Sequence, residues 1–434
     1  MQIFRSLLAY VALFAALLSL LPGMVLLGAV SVGLAVMLGW RDLRRVPKAV
    51  FTIAILMGTY ALGKDPTLLD DAVTNMTRLA GLILSVMLLS SVLGRSGDLQ
   101  RISASLFAGK PGHRYVSLAF GTALVSVPLN FGSVAVVGSL VGERIRKEGD
   151  SVAARNATRA VLRGFGASPI FSPLSISVVL TLTLLPGLES FHLLSLAIPF
   201  AIAMILVGLM FRESEPASER EVGEILAGKP TWARFSGLIL AICTGVFVLS
   251  HQFQFSYAHA VTLSCMGAVI GSRLMAWSRG TNPPLTNMAN VSNELAIVGG
   301  SAFIGAVISG VVLGQIPDTQ GLPDWIWPML AACVPWLFFL AGLAGVNPIV
   351  VGTLTGGILG SIWPDGNLVG LGIAMVTGWG ITAFGTPFAA NALIMERLTG
   401  YSAVDASLRW SLWLSLSGLA VASGLGAGLT VALS

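Results

Sequence analysis

The sequence predicts an all-α polytopic membrane protein: about 11 transmembrane helices plus two re-entrant hairpins, in two inverted-topology repeats. Three observations carry this. Of 434 residues, 55% are hydrophobic and 10% charged, too apolar a balance for a soluble domain, and the apolar residues fall in runs of helix-spanning length. Lys and Arg gather at alternate ends of those runs. Two over-long apolar stretches carry helix breakers at their centres, and the breakers recur about half a chain apart.

Composition also narrows function. The 50 glycines suit helices packed closely in lipid. The net charge of +5 belongs to loops that set orientation, and no nucleic-acid partner is expected. Cys243, Cys265 and Cys333 lie scattered in apolar segments and read as packing residues. His113, His192, His251 and His259 form no metal-binding pattern, and no P-loop is present. The expectation is a protein that is not an enzyme and carries no cofactor.

Residues 1–49 form an N-terminal helical hairpin. Run 6–21 follows Arg5, turns at Pro22-Gly23 and returns as run 24–40 to the basic "RDLRRVPK". A signal peptide is the alternative, but no small-x-small cleavage site of the usual kind appears. The N-terminus is therefore placed in the cytoplasm, by the excess of Lys and Arg in cytoplasmic loops.

Residues 50–211 form the first repeat. Run 50–63 leads out to the acidic "KDPTLLDD", and run 79–94 returns to "GRSGDLQR". Stretch 115–141 is basic at both flanks, so a single crossing would put one basic flank outside. Its centre, "VPLNFG", holds Pro128, Asn130 and Gly132, a poor helix interior. Its first arm of about 15 residues gives roughly 22 Å of helix against a core of about 30 Å. It reads as a re-entrant hairpin from the cytoplasm, a form that survives only buried in protein or lining an aqueous cavity. The run with "GASPIFSPLS" then crosses outward, broken over 166–173, and run 192–211 returns.

Segment 212–234, the one long polar stretch, is a cytoplasmic linker between halves. Residues 235–434 form the second repeat: runs 235–253, 256–276 and 296–315, then a hairpin at 325–363 broken at "GVNP" and entering from outside. A helix broken over 380–387, in "GITAFGTPFA", crosses inward, and run 411–432 exits. This gives a multi-pass inner-membrane protein with its C-terminus in the periplasm.

Internal similarity supports the halves. Thr74-Asn75-Met76 recurs as Thr286-Asn287-Met288, Asn130 pairs with Asn347, and Pro173 pairs with Pro387, at offsets of 212, 217 and 214 residues. A helix broken at mid-membrane exposes carbonyls from one half and N–H groups from the other, and those ends carry partial charge. Gly permits the unusual backbone and Pro frees a carbonyl. Inverted repeats with broken helices mark secondary transporters. Arg155, Arg159 and Arg163 share one helical face. Arg155 suits anchoring at the surface. Arg163, three residues before Gly166, is expected deeper, where a charge must meet water or an anion. Glu294 and Glu396 read as helix-boundary residues.

This order of elements resembles the ion transporter superfamily, and within it the divalent anion/sodium symporter and citrate/arsenite permease branches. The resemblance covers nearly the whole chain and rests on layout. Where that family has Ser-Asn-Thr at its hairpin tips, this chain has "LNFGSVA" and "GVNPIVVGT". The resemblance implies an elevator-type symporter of a small organic anion, a carboxylate, coupled to Na⁺, with a scaffold that forms a homodimer. It implies that Asn130, Ser133, Ser168 and Ser172 line one half-site, with Asn347, Thr382, Thr386 and Asn391 lining the other; Arg163, from its depth, is expected to serve the anion. Cation binding would involve Asn130, Gly166, Pro173, Asn347, Gly385 and Pro387, since hard cations take oxygen ligands. Proton coupling and oxyanion permeation belong to the same class. So does the large membrane subunit of a tripartite transporter, which would add a periplasmic binding protein as partner. A membrane-embedded enzyme on lipid-linked substrates would call for clustered Asp, Glu or His, whereas the embedded polar groups here are Asn, Ser and Thr. A channel would not need inverted broken helices.

Overall fold

The structure, a computed structural model, describes residues 2–94, 96–215, 227–281, 284–315, 322–364 and 368–433. Among them all regular structure is helical. Ten helical stretches of these residues are long and apolar enough to cross a membrane, and the protein is a multi-pass membrane protein.

The N-terminal pair is α1 (Gln2–Leu17) and α2 (Met24–Leu38), turned by Gly23 at φ 78°. At 16 and 15 residues they measure about 24 and 22 Å, short of a core of about 30 Å. Of the crossings expected outside the hairpins, these two are the ones that fall below full span. Helices α3 (Arg45–Lys64) and α4 (Leu68–Leu93) follow, then α5 (Gly97–Ser105), a short amphipathic helix inside the basic segment after run 79–94. Its Ser96 hydroxyl caps the Leu99 N–H.

The first hairpin is α6 (Pro111–Leu129) and α7 (Phe131–Glu148). The first broken helix is α8 (Val152–Phe171) and α9 (Ile176–Leu184), followed by α10 (Ser190–Met210). Beyond the linker come α11 (Lys229–His251), α12 (Tyr257–Ser278) and α13 (Ser292–Gln315). The second hairpin is α14 (Ile326–Leu343) and α15 (Pro348–Ile362). The second broken helix is α16 (Val369–Gly385) and α17 (Ala390–Thr399), and α18 (Trp410–Ala432) ends the chain. A six-residue π-turn, Val404–Arg409, leads into α18. Of the linker, residues 216–226 lie outside the described residues.

Packing sorts the helices into two groups. One holds α1–α4 and α11–α13, with α4 and α13 packed along each other and α1 and α2 laid on α4. The other holds α6–α10 and α14–α18, built around α8 and α16. The α16 window is the most enclosed, 94% buried, so it is the protein's centre rather than a lipid-facing span.

The two hairpins enter from opposite ends. The base of the first lies among basic residues, with Arg114 bonded to Glu215 and Tyr401 bonded to Asp150. The second opens beside the α9–α10 turn, where Gly360 near the end of α15 abuts Leu184 and Leu185. The Thr-Asn-Met landmark behaves differently. Thr74 to Met76 sit inside α4, but Thr286 to Met288 form an extended segment before α13. There the Thr286 carbonyl accepts from Tyr10, and the Met288 N–H donates to Ser6. The tripeptide match therefore does not mark equivalent structure; the proline pair does.

Candidate functional site: two tips and two breaks

Each broken helix stops at its hydroxyl-Pro pair. The breaks are Ser172-Pro173-Leu174-Ser175 and Thr386-Pro387-Phe388-Ala389. The expectation of a break beginning at Gly166 and Gly380 is corrected, since α8 and α16 run through both glycines. Proline explains the stop. Lacking an N–H, Pro173 leaves the Pro169 carbonyl without its helical donor, and Pro387 does the same to Ala383. Side chains beyond the break supply what is missing. The Ser175 hydroxyl lies 3.3 Å from the Pro169 oxygen, and the Asn391 amide donates to the Ala383 oxygen at 2.9 Å. The two freed carbonyls occupy equivalent places in the halves.

The glycines do something else. Gly166 and Gly380 are where α8 and α16 cross. A Cβ on Gly166 would meet Phe384 and the Gly380 oxygen, and a Cβ on Gly380 would meet Ile170 and the Gly166 oxygen. Residue 166 faces 384 while 170 faces 380, so the helices run antiparallel and the contact is reciprocal. At this point the crossing itself is locally two-fold.

The first tip is a single residue. Asn130, at φ 49° and ψ −127°, is all that separates α6 from α7. Such a conformation is unusual for a side-chain-bearing residue, and Asn tolerates it better than most. Its carbonyl accepts from the Ser133 N–H and hydroxyl. The Ser126 hydroxyl lies 2.6 Å from that of Ser133, and Phe131 stacks on Phe165 of α8. The second tip is Ala344 to Asn347. Gly345 takes φ 79°, Asn347 accepts from the Ile349 N–H to cap α15, and Pro348 fills the first helical position. Gly342 rests against Thr382 and Thr386, and Gly345 against Phe388, so the second tip and the second break are in contact.

The structure thus brings Asn130 and Ser133 together at one tip, and sets Thr382 and Thr386 beside the last turn of α14. Ser168, Ser172, Thr353, Thr382, Thr386 and Asn391 are all buried. The donors of Thr353, Thr382 and Thr386 are used by carbonyls one turn back. Their oxygens keep accepting lone pairs, the kind of ligand a hard cation takes. Gly166 lies in the crossing rather than in a break, and Gly385 abuts Ser415 and Phe339. Among the described residues no three His, Cys, Asp or Glu gather as a metal site.

Arg163 stands apart from both tips. It is fully buried and donates to Ser411 Oγ, Tyr115 Oη and the carbonyls of Gly208, Phe211 and Trp410. That is one acceptor for each of its five N–H groups. The expectation of an arginine facing an aqueous path is not met here: its fork ties α8 to α6, α10 and α18. Arg159 is likewise engaged, with Glu213 at 2.5 Å and with Asn156.

Sequence reasoning missed three groups. Ser175 and Ser126 were legible as hydroxyls two residues after, and two before, a breaking proline. The third is a clasp in which Asn156 bonds Glu213 and Glu215, and Arg114 bonds Glu215. Its signal was the arginine stripe itself, whose Arg155 and Arg159 meet Glu213 among the linker's first residues.

No protein-family model matches the chain, and no curated protein matches it in sequence. Among 18 solved chains that match its fold is the Alcanivorax borkumensis YdaH transporter, whose crystal structure is described as revealing an unusual topology. The TM-score is 0.54 at 14% identity, over 89% of this chain and 96% of that one. The likeness is one of fold: this chain has the fold of a membrane transporter.

Proposed function

We propose that the protein is a secondary active transporter that moves a small organic anion, a carboxylate, across the inner membrane with Na⁺ as coupling ion. The observation that carries this reading is the pair of half-sites, each a hairpin tip and a proline-broken helix, related by the reciprocal Gly166–Gly380 crossing. A site built twice in opposite orientation serves both faces of a membrane equally, which an enzyme or a one-way receptor does not need. The solved transporter of like fold supports the same class. Tip and break oxygens from Asn130, Ser133, Asn347, Thr382 and Thr386 form the polar lining. The cation takes carbonyl and hydroxyl oxygen, and the carboxylate takes helix-end N–H groups and the bound cation's charge. The two helix groups act as a moving body and a scaffold, in an elevator-type cycle, with the scaffold dimerising. The N-terminus is cytoplasmic and the C-terminus periplasmic, from the basic loops.

The test is uptake of labelled mono-, di- and tricarboxylates by proteoliposomes holding the purified protein, with and without an inward Na⁺ gradient. Uptake that needs the gradient supports the reading. Uptake driven equally by a proton gradient alone moves the coupling to H⁺, and no gradient-driven uptake across the panel sinks the transport assignment for this class of anion.

A further inference from the structure

The tips and breaks offer hydroxyls, amides and helix ends, while an anion deep in a membrane calls for a positive charge beside it. Arg163 has spent its five N–H groups on the protein. Another arginine inside a membrane span has not. Arg78 lies ten residues, about 15 Å, into the 26-residue helix α4. It is half-buried. Among the described residues it has no hydrogen-bond or ion-pair partner, and its nitrogens reach open space.

The neighbours of α4 show where that space is. Gly81 faces α1 and α12, where a Cβ would meet Ala16 and Thr262. Thr77 faces α2 and donates to the Val25 carbonyl. Met76 and Leu68 face α13, against Gly299 and Gly310. At about 100° per residue, Arg78, Asp71 and Asn75 fall in the arc these neighbours leave, between α12 and α13. Farther along that arc Leu82, Val86 and Leu89 are buried, so it runs beneath protein rather than along lipid. The covering helices are α9 and α15: α9 packs on α12, α15 on α13, and the two on each other.

Depth matches as well. Helix α13 runs antiparallel to α4, and α15 runs along α13 in its own direction, with Thr353 against Gly305 and Ser361 bonded to Ser309. Those two pairs set offsets of 48 and 52 residues, which place Asn347 level with 295–299 on α13 and hence with 76–80 on α4. Arg78 stands in the middle of that window, level with the second tip. On α12, His259 is within electrostatic reach of Arg78; it supplies no acid, and its Nδ1 lies 3.3 Å from the Ser19 hydroxyl.

We propose that Arg78 is a substrate-binding residue contributed by the helix group of α4 and α13: its guanidinium pairs with the carboxylate held at the second tip. This rests on the transport reading. The two groups then divide the work. The tips and breaks supply oxygens for the cation, and α4 supplies the planar fork that takes two carboxylate oxygens at once.

The experiment uses the full chain in nanodiscs, with Cys243, Cys265 and Cys333 replaced by Ala. Asn75→Cys, on the same arc, is reacted with two water-soluble methanethiosulfonates, the anionic sulfonatoethyl and the cationic trimethylammonioethyl reagent. Both should react, the anionic one faster, and Arg78→Gln should lower the ratio of rates roughly tenfold, the scale of one charge a helical turn away. In proteoliposomes, Arg78→Gln should raise the KM of a transported carboxylate about tenfold or more, with Arg78→Lys between. No reaction at Asn75→Cys, a ratio unmoved by Arg78→Gln, or an unchanged KM overturns the proposal. Should Arg78→Gln fail on a size-exclusion column, the ratio is read in the Arg78 chain at low and high salt, and a ratio indifferent to salt overturns it. Charge preference at Asn75→Cys without uptake of any carboxylate leaves Arg78 as an anion contact and removes the transport reading; uptake with an unchanged KM does the reverse.

Discussion

A Cβ placed on Gly380 would lie 2.5 Å from the carbonyl oxygen of Gly166, and one on Gly166 would lie 2.9 Å from that of Gly380. Backbone meets backbone on both sides, so neither contact can be relieved by turning a side chain. The two broken helices are held at their crossing by the absence of two Cβ atoms.

Gly380→Ala should therefore cost about 1–3 kcal/mol, as overpacking of a filled site does. Gly166→Ala should cost somewhat less, since the backbone oxygen facing it lies at 2.9 Å rather than 2.5 Å. Gly33→Ala, on a face of α2 with nothing within 4 Å, is the control and should be neutral or mildly stabilising, as Gly-to-Ala is in helices. Thermal unfolding in detergent reads all three. Equal melting temperatures for Gly380→Ala and Gly33→Ala would refute the crossing.

Arg163→Lys keeps the charge but offers three donors where five acceptors wait. It should lower stability by at least about 2 kcal/mol, on the scale of hydrogen bonds to a charged group, and Arg163→Gln should lower it further. Tyr115→Phe, which removes one acceptor, should cost roughly 1 kcal/mol. If Arg163→Lys melts like the parent but binds carboxylate more weakly, the residue belongs to the anion after all.

Asp150 is a pH probe. Its hydrogen bond from Arg155, and then that from Tyr401, hold its carboxyl below the usual value. The folded pKa is depressed, so this stabilisation is complete above the ordinary aspartate value and is lost as pH falls through the lower, folded one. Asp150 is an exposed group, and its share should be below about 1 kcal/mol. Asp150→Asn should lose that share at neutral pH and flatten the decline below pH ~4. A parent and variant with parallel melting curves over that window would show that the contact carries nothing.

Asn391→Ala leaves the Ala383 oxygen with neither its helical nor its side-chain donor. The cost should be about 1–3 kcal/mol for a buried acceptor. Asn391→Asp, with no amide to donate when ionised, should not rescue it. Ser175→Ala removes the equivalent bond and also the cap on Val178, and should cost at least as much. Stability unchanged in both would mean that water serves these carbonyls.

Asn130 and Asn347 separate shape from chemistry. Asn130→Gly keeps the positive φ without strain, and Asn130→Ala does not. If the side chain binds the transported species, both variants lose uptake, and Gly alone keeps the melting temperature. If Asn130 is there only to turn the chain, Asn130→Gly transports normally. Asn347→Asp should retain the α15 cap that Asn347→Ala loses, at about 1 kcal/mol.

Some of this was readable from the chain because local chemistry decides it. Pro128-x-Asn130 marked, to the residue, the point where α6 gives way to α7. Hydroxyl-Pro pairs marked the breaks, because a missing N–H stops a helix wherever it lies. Glycine is different. Whether Gly166 bends a helix or lets another one close depends on Gly380, 214 residues away, and nothing nearby in the chain distinguishes the two. Arg163 failed for the same reason. It is fully buried, and three of its five acceptors are the carbonyls of Gly208, Phe211 and Trp410, which any residue at those positions would provide. The Thr-Asn-Met repeat was a coincidence of letters, helical in one half and extended in the other.

The N-terminal hairpin has a history written into its bonds. Arg5 reaches Asp42 at 2.5 Å, a partner 37 residues on, but its second bond is to Ser292, at 3.2 Å and 287 residues away. Ser292 in turn donates to the Ala35 carbonyl. During synthesis, α1 and α2 enter the membrane with one of these bonds available and the others not yet made. At translation rates of about 5–20 residues per second, the hairpin waits for roughly 12 seconds or longer before α13 emerges to close it. The hairpin is thus laid on α4 early and tied through Arg5 to Ser292 late, and a nascent chain cut short before α13 should lack only that final tie.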